Sequence, residues 1–94
     1  MKRSWIEWSE EINRRLLSER GLCFEDVENA IEQGRVLDDR QHPITEKYPG
    51  QRVLVVEIDE YVCLVPYVAD VDRWFLKTIY PSRKARRFYR GELK

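Results

Sequence analysis

Five of the eleven residues from Pro81 to Gly91 are basic, namely Arg83, Lys84, Arg86, Arg87 and Arg90, and none is acidic. Side chains of this type at this density suit phosphate. A planar guanidinium matches two phosphate oxygens at once, and each phosphate that is neutralised releases bound counterions. On a 3.6-residue period Arg83, Arg86, Arg87 and Arg90 share one face, while Ala85, Phe88 and Tyr89 share another that could lie on a sheet. Pro81 and Ser82 suit the first turn of such a helix and Gly91 its stop. Residues 71–94 hold 8 of the chain's 17 Lys and Arg but only 2 of its 17 Asp and Glu, so a formally neutral chain carries a +6 tail on a −6 body. A packed helix of this kind presents a cationic stripe to a polyanion or to an acidic partner.

Other chemistries lack their residues. There is no glycine-rich phosphate loop, no nucleophile elbow, no HExxH pattern and no outstanding pair of carboxylates. Cys23 and Cys63 have no CxxC spacing and do not cluster with His42, the sole imidazole, so they read as reduced structural thiols; no metal and no cofactor is expected. The acids Glu25, Asp26, Glu28 and Glu32 read as a solvated helix face. The basic start Lys2-Arg3 runs into Trp-Ile-Glu-Trp-Ser-Glu-Glu instead of an apolar stretch, which points to a cytoplasmic chain without membrane association.

The elements that must position the basic stripe follow from patterning. Ninety-four residues fit one domain, 1–94, burying somewhat over ~60 % of its unfolded surface, and 3 Trp and 5 Tyr supply core that a disordered chain of similar charge would lack. Ser9 is a good N-cap for a first helix closed by Gly21, with acids in its first turn. A second short helix spans Glu25 to Gln33 and stops at Gly34. Val36-Leu37 reads as a short strand, and the stretch from Asp39 to Gly50, with Pro43, Pro49 and Gly50, as a long loop. Strands are then predicted over 53–58, 61–68 and 74–80, joined by turns at Asp59-Glu60 and at 69–72. The middle strand is apolar on both faces, which places it centrally, and Pro66 fits best outside the paired register or at a bulge. The predicted fold is α+β: two N-terminal helices, an antiparallel meander of three to four strands, and a basic C-terminal helix.

Two stretches, Trp8-Ser9-Glu10-Glu11-Ile12 with Glu19-Arg20-Gly21-Leu22-Cys23-Phe24-Glu25 near the start and Ser82-Arg83-Lys84-Ala85 near the end, resemble the BrnT family of bacterial toxins, part of the wider RelE-like ribonuclease group. That family opens with Trp-Asp-x-x-Lys, an Asn four residues on, and then Lys-His-Gly-Val-x-Phe-Glu. In the same register and without a gap, this chain reads Trp8-Ser9-Glu10-Glu11-Ile12, Leu16, and Glu19-Arg20-Gly21-Leu22-Cys23-Phe24-Glu25. Near the other end a small residue followed by Arg-Arg/Lys-Ala is matched by Ser82-Arg83-Lys84-Ala85. The family's Lys, Asn and His in the first helix are Ile12, Leu16 and Arg20 here, so roles of those residues do not carry over, and the 41–50 loop differs as well.

The resemblance implies a RelE-like fold and RNA cleavage. Attack by a ribose 2′-hydroxyl needs help with deprotonation, stabilisation of a crowded phosphorane and protonation of the leaving 5′-oxygen, and RelE-like enzymes lean on Arg and Lys for this. Arg83 is then the candidate for holding the scissile phosphate. Lys84 and Lys77 are candidates for a second charge or a proton donor, and His42 for an acid/base. Arg86, Arg87 and Arg90 would track the RNA backbone. Trp74 and Tyr80 would stack bases unless they are core. A type II toxin of this family implies a ribbon-helix-helix antitoxin that masks it, with operator DNA bound only through that partner. The alternatives are a non-catalytic module binding RNA or an acidic protein through the same stripe, and an adaptor subunit whose sheet edge pairs with a partner strand.

Overall fold

The computed structural model describes residues 5–41, 46, 47 and 49–91, with Arg90 by its backbone only. His42 lies outside the described residues. The chain runs β1 (Ile6–Trp8), α1 (Glu10–Arg20), α2 (Phe24–Glu32), β2 (Val36–Gln41), β3 (Gln51–Ile58), β4 (Tyr61–Ala69), β5 (Trp74–Leu76), β6 (Tyr80–Pro81) and α3 (Arg83–Gly91). The class is α+β, as the pattern predicts, with three helices on a mixed sheet.

The helices begin and end where local chemistry dictates. The Ser9 hydroxyl accepts the Ile12 N–H at 3.3 Å, and Gly21, at φ +69°, returns its N–H to Leu17 O at 3.1 Å. At the start of α2 the Asp26 carboxylate accepts the Cys23 N–H, while the buried Asn13 accepts the Phe24 N–H at 2.7 Å and donates to Glu25 at 2.8 Å. One amide thus closes the free end of α2 from α1 and holds the Glu25 carboxyl below its ordinary range. Glu28, expected on a solvated face, is buried instead, because α2 packs on β3.

The sheet departs from the expected meander in three ways. Among the described residues it has six strands, in the order β1-β5-β4-β3-β2 with β6 also on β4, and it is not purely antiparallel, since β1 pairs parallel with β5 from Ile6↔Trp74 to Trp8↔Leu76. Within the stretch read as a loop, β2 continues to Gln41 on β3, with a register shift between Val36 and Asp38. Finally, the single strand expected over 74–80 is two short ones. β5 pairs Leu76 with Tyr67, whereas β6 pairs Tyr80 with Leu64, so the register slips by one residue between them. Pro66 stands at that slip. Its carbonyl accepts the Lys77 N–H at 2.8 Å, and having no N–H of its own it leaves no orphaned donor on that edge.

β4 lies between β3 on one edge and β5 and β6 on the other. Cys63, Val65 and Tyr67 face the main core with Leu54, Val56, Phe24 and Val27. Val62 faces a smaller cluster with Val55 and Ala85 of α3, against which Leu37, Leu64 and Tyr89 pack. Burial pushes the Cys23 and Cys63 thiols up to about 11 and the Tyr67 phenol, which donates to Asp39 at 2.7 Å, up to about 12, so all three stay protonated at neutral pH.

The two-residue β3–β4 turn holds Asp59 at φ +48° and Glu60 at φ +70°, a conformation that favours Asn-Gly. Glu60→Gly should therefore stabilise the fold by about 1 kcal/mol through relief of left-handed strain. The midpoint of urea unfolding should rise; an unchanged or lower midpoint would show that the turn carries no such strain.

Candidate functional site

The start of α3 hangs from β4. Ser82 donates its N–H to Val62 O at 3.0 Å, its carbonyl accepts the Arg86 N–H at 3.0 Å, and its hydroxyl accepts the Ala85 N–H at 3.1 Å, an N-cap directly on the sheet. Ala85 is buried against Val55 and Val62. One turn on, Tyr89 donates its hydroxyl to Asp38 of β2 at 2.5 Å, packs edge-on against Phe88, and lies beneath the Arg40 guanidinium, 5.7 Å from the ring centroid. The Tyr89 bond, then the Asp39 N–H, hold the Asp38 carboxyl below its usual range; burial, then Asp38, push the Tyr89 phenol up. Both ends of the helix are thereby tied to the sheet.

So fixed, α3 parts its cations between two clefts. Arg83 and Arg86 line one of about 350 Å³ with Tyr61, Val62, Pro81 and Ser82. Lys84 and Arg87 line another of about 650 Å³ with Arg40, Leu64, Phe88 and Tyr89. An exposed aromatic ring stands in each, Tyr61 at 57 % and Phe88 at 56 %. Among the described residues no carboxylate pairs with Arg83, Lys84, Arg86 or Arg87; the ion pairs there join Arg52 to Asp39 and Arg73 to Glu7. The first turn of α3 has no acid, so basic side chains surround the positive end of the helix dipole. Bases there repel the dipole and one another, and an anion relieves both.

The structure brings together some of the residues singled out by sequence and separates others. Arg83 and Arg86 share a cleft, Lys84 and Arg87 share the other, and the single stripe expected on one face is divided between them. The Arg90 side chain and His42 lie outside the described residues. Lys77 is exposed between β5 and β6 and is not among the residues lining either cleft. Tyr80, 38 % exposed, is the register partner of Leu64, which places it beside the larger cleft. Trp74, in contrast, packs on Tyr67 and Trp5, with centroids 4.4 and 5.0 Å apart, on the far side of the sheet from α3. Two cleft residues, Arg40 and Tyr61, are absent from the sequence reading. Nothing local marks them, because Arg40 meets Tyr89 only through the β2–β3 pairing, and Tyr61 meets Arg83 only because β6 returns alongside β4.

Among the described residues no cluster of His, Cys, Asp and Glu could hold a metal ion, and no helix is long and apolar enough to cross a membrane. Residues 8–81 match a domain family described as a domain of unknown function, DUF4258. The matched span ends at Pro81, before α3 begins. No curated protein and no solved structure matches the chain.

Because the Asp38 carboxyl is held low by folding, its contribution to stability is present above the unfolded carboxylate range, near pH ~4, and fades as pH falls through its folded value. Tyr89→Phe removes the largest cause of that shift. The variant should be less stable than wild type by about 1 kcal/mol at pH 7, and the gap should close in acid as Asp38 is protonated in both. Urea unfolding at pH 7 and pH 3 checks this, and a gap that is constant with pH would leave Tyr89 as packing alone.

Proposed function

The chain belongs to the DUF4258 family, and we propose that the protein is an RNA-cleaving toxin of a type II toxin–antitoxin pair, related to BrnT and of RelE-like fold. The observation that carries the reading is Arg83: exposed at the first position of α3, without an acidic partner among the described residues, in one cleft with Arg86 and an exposed tyrosine. The resemblance at Trp8–Glu25 and Ser82–Ala85 supports it from the sequence.

In the proposed reaction the ribose 2′-oxygen attacks the adjacent phosphorus and loses its proton, and the bond to the 5′-oxygen breaks as that oxygen takes up a proton. The products are a 2′,3′-cyclic phosphate and a free 5′-hydroxyl. Arg83 holds two non-bridging oxygens through its paired N–H groups as negative charge gathers there, with Arg86 beside it. Lys84 and Arg87, on the other flank of α3, hold phosphates further along the strand, and Arg90 is a further candidate for a phosphate contact. Lys77 and His42 remain candidates for proton transfer. A ribbon-helix-helix antitoxin presenting acidic side chains would silence the protein by covering these arginines, and operator DNA would be met only through that partner. The proposed compartment is the cytoplasm.

A second reading, RNA binding without cleavage, is favoured by one feature. The described residues lining the Arg83 cleft include no carboxylate and no imidazole, and besides its arginines they offer the Tyr61 and Ser82 hydroxyls for moving a proton.

Expression of the chain alone should arrest bacterial growth, and the purified protein should cut single-stranded RNA to ends bearing cyclic phosphate. Arg83→Ala should slow cleavage about 10²- to 10³-fold, and Arg83→Lys should recover little, because an ammonium cannot bridge two oxygens. Binding without cleavage by the wild-type protein would establish the second reading, and an undiminished rate in Arg83→Ala would remove that residue from the mechanism.

A further inference from the structure

Tyr61 and Pro81 also line a second cleft, of about 360 Å³, together with Arg20 and Leu22. The two hollows share Tyr61 and Pro81 as walls. Two adjoining clefts, hereafter the groove, thus share an exposed tyrosine, one bringing Arg20 to it and the other Arg83 and Arg86.

We propose that this groove is a binding site for single-stranded RNA, in which Tyr61 is a stacking platform for one unpaired base and Arg20 holds a phosphate on the opposite side of that base from Arg83. The inference rests on the RNA reading above and names residues, Arg20 and Tyr61, that the reading does not require. Three observations carry it. Tyr61 is more than half exposed although it opens the central strand, so it offers a π-face to solvent. Arg20 reaches from the last turn of α1 to donate one N–H to Ile79 O at 2.5 Å, which anchors the guanidinium over the stretch between β5 and β6 and leaves its other N–H groups for a ligand. Among the described residues it has no acidic partner, so its charge is not neutralised. Cations beside an exposed aromatic ring are the arrangement by which proteins follow a single strand, with phosphates on the bases and a nucleobase on the ring. A duplex keeps its base faces stacked inside and cannot use the ring, so the groove selects unpaired RNA.

The test is binding of a fluorescein-labelled 2′-O-methyl RNA octamer, which lacks the attacking hydroxyl, measured by anisotropy for the whole protein. The wild type should bind the single strand more tightly than a duplex of the same sequence. Tyr61→Ala should weaken binding at least fivefold, Tyr61→Phe should stay within about twofold, and Arg20→Gln should weaken binding and lower the salt slope by about 0.7. Thermal melts of the Tyr61 variants should match wild type, since an exposed ring is removed. If the wild type binds RNA and both Tyr61→Ala and Arg20→Gln bind as tightly while Arg87→Ala does not, the strand runs along the Arg40 side and the groove is not its site. Equal affinity for duplex and single strand overturns the stacking role. No RNA binding by the wild type overturns the RNA reading itself, a result distinct from the other two.

Discussion

The fold depends on a strand that must be covered twice. Along β4, Cys63, Val65 and Tyr67 are apolar toward one side of the sheet and Val62, Leu64, Pro66 and Val68 toward the other, so neither face can be left to water without exposing several apolar side chains. On the first side α1 and α2 supply Leu16, Phe24, Val27 and Ala30. On the second, among the described residues, the covering helix is α3, nine residues long, which contributes Ala85 and part of Tyr89. A short helix with so small an apolar face, and with bases at the end where acids would stabilise it, has little reason to form alone. It is held because β4 needs it, by the Ser82 cap at one end and the Tyr89–Asp38 bond at the other.

That dependence accounts for the electrostatics. Elsewhere charge follows local rules, with Glu10 and Glu11 in the first turn of α1 and Glu25 and Asp26 in that of α2. In α3 the rule is broken, and the breach coincides with the clefts. Consistency at every level but one is the pattern expected where a sequence serves a ligand rather than its own stability. Because the backbone of α3 is tied to two strands, its arginines start from fixed Cα positions, and less freedom is lost when an anion binds than on a free tail.

What could be read from the sequence was what neighbours in sequence decide. Ser9 and Gly21 bracket α1, Gly34 follows α2, Asp59-Glu60 makes a turn, and the two-sided pattern of 61–68 makes a central strand, because each depends on caps, turn chemistry or a period of two. Pro66 was legible as an irregularity on one edge only: it stays in register with Val53 of β3, and the shift lies on the β5–β6 side, where its missing N–H faces. What escaped depends on partners far along the chain. Ile6–Trp8 is a strand only because Trp74–Leu76 lies beside it, and Asp38–Gln41 only because β3 runs past. The division of 74–80 follows from the slip at Pro66, which no periodicity reveals. The candidate site fares likewise. The basic residues were visible as a cluster, whereas their sorting between clefts, the place of Trp74 against Trp5 and Tyr67, and the parts of Arg20, Arg40 and Tyr61 all come from the assembled sheet.

The β1–β5 pair has a consequence for folding order. Hairpins such as β3–β4 close over a few residues, but Ile6 meets Trp74 only across most of the chain, so among the described residues this is the strand pairing of highest sequence separation and greatest loop-closure entropy. It is also one of the shortest ladders, three residues at the rim of the sheet with Glu7 and Arg73 clasped across it. That pairing is thus the costliest of the sheet to close, and it is repaid only once closed, when Ile6, Trp8 and Leu76 join the main core.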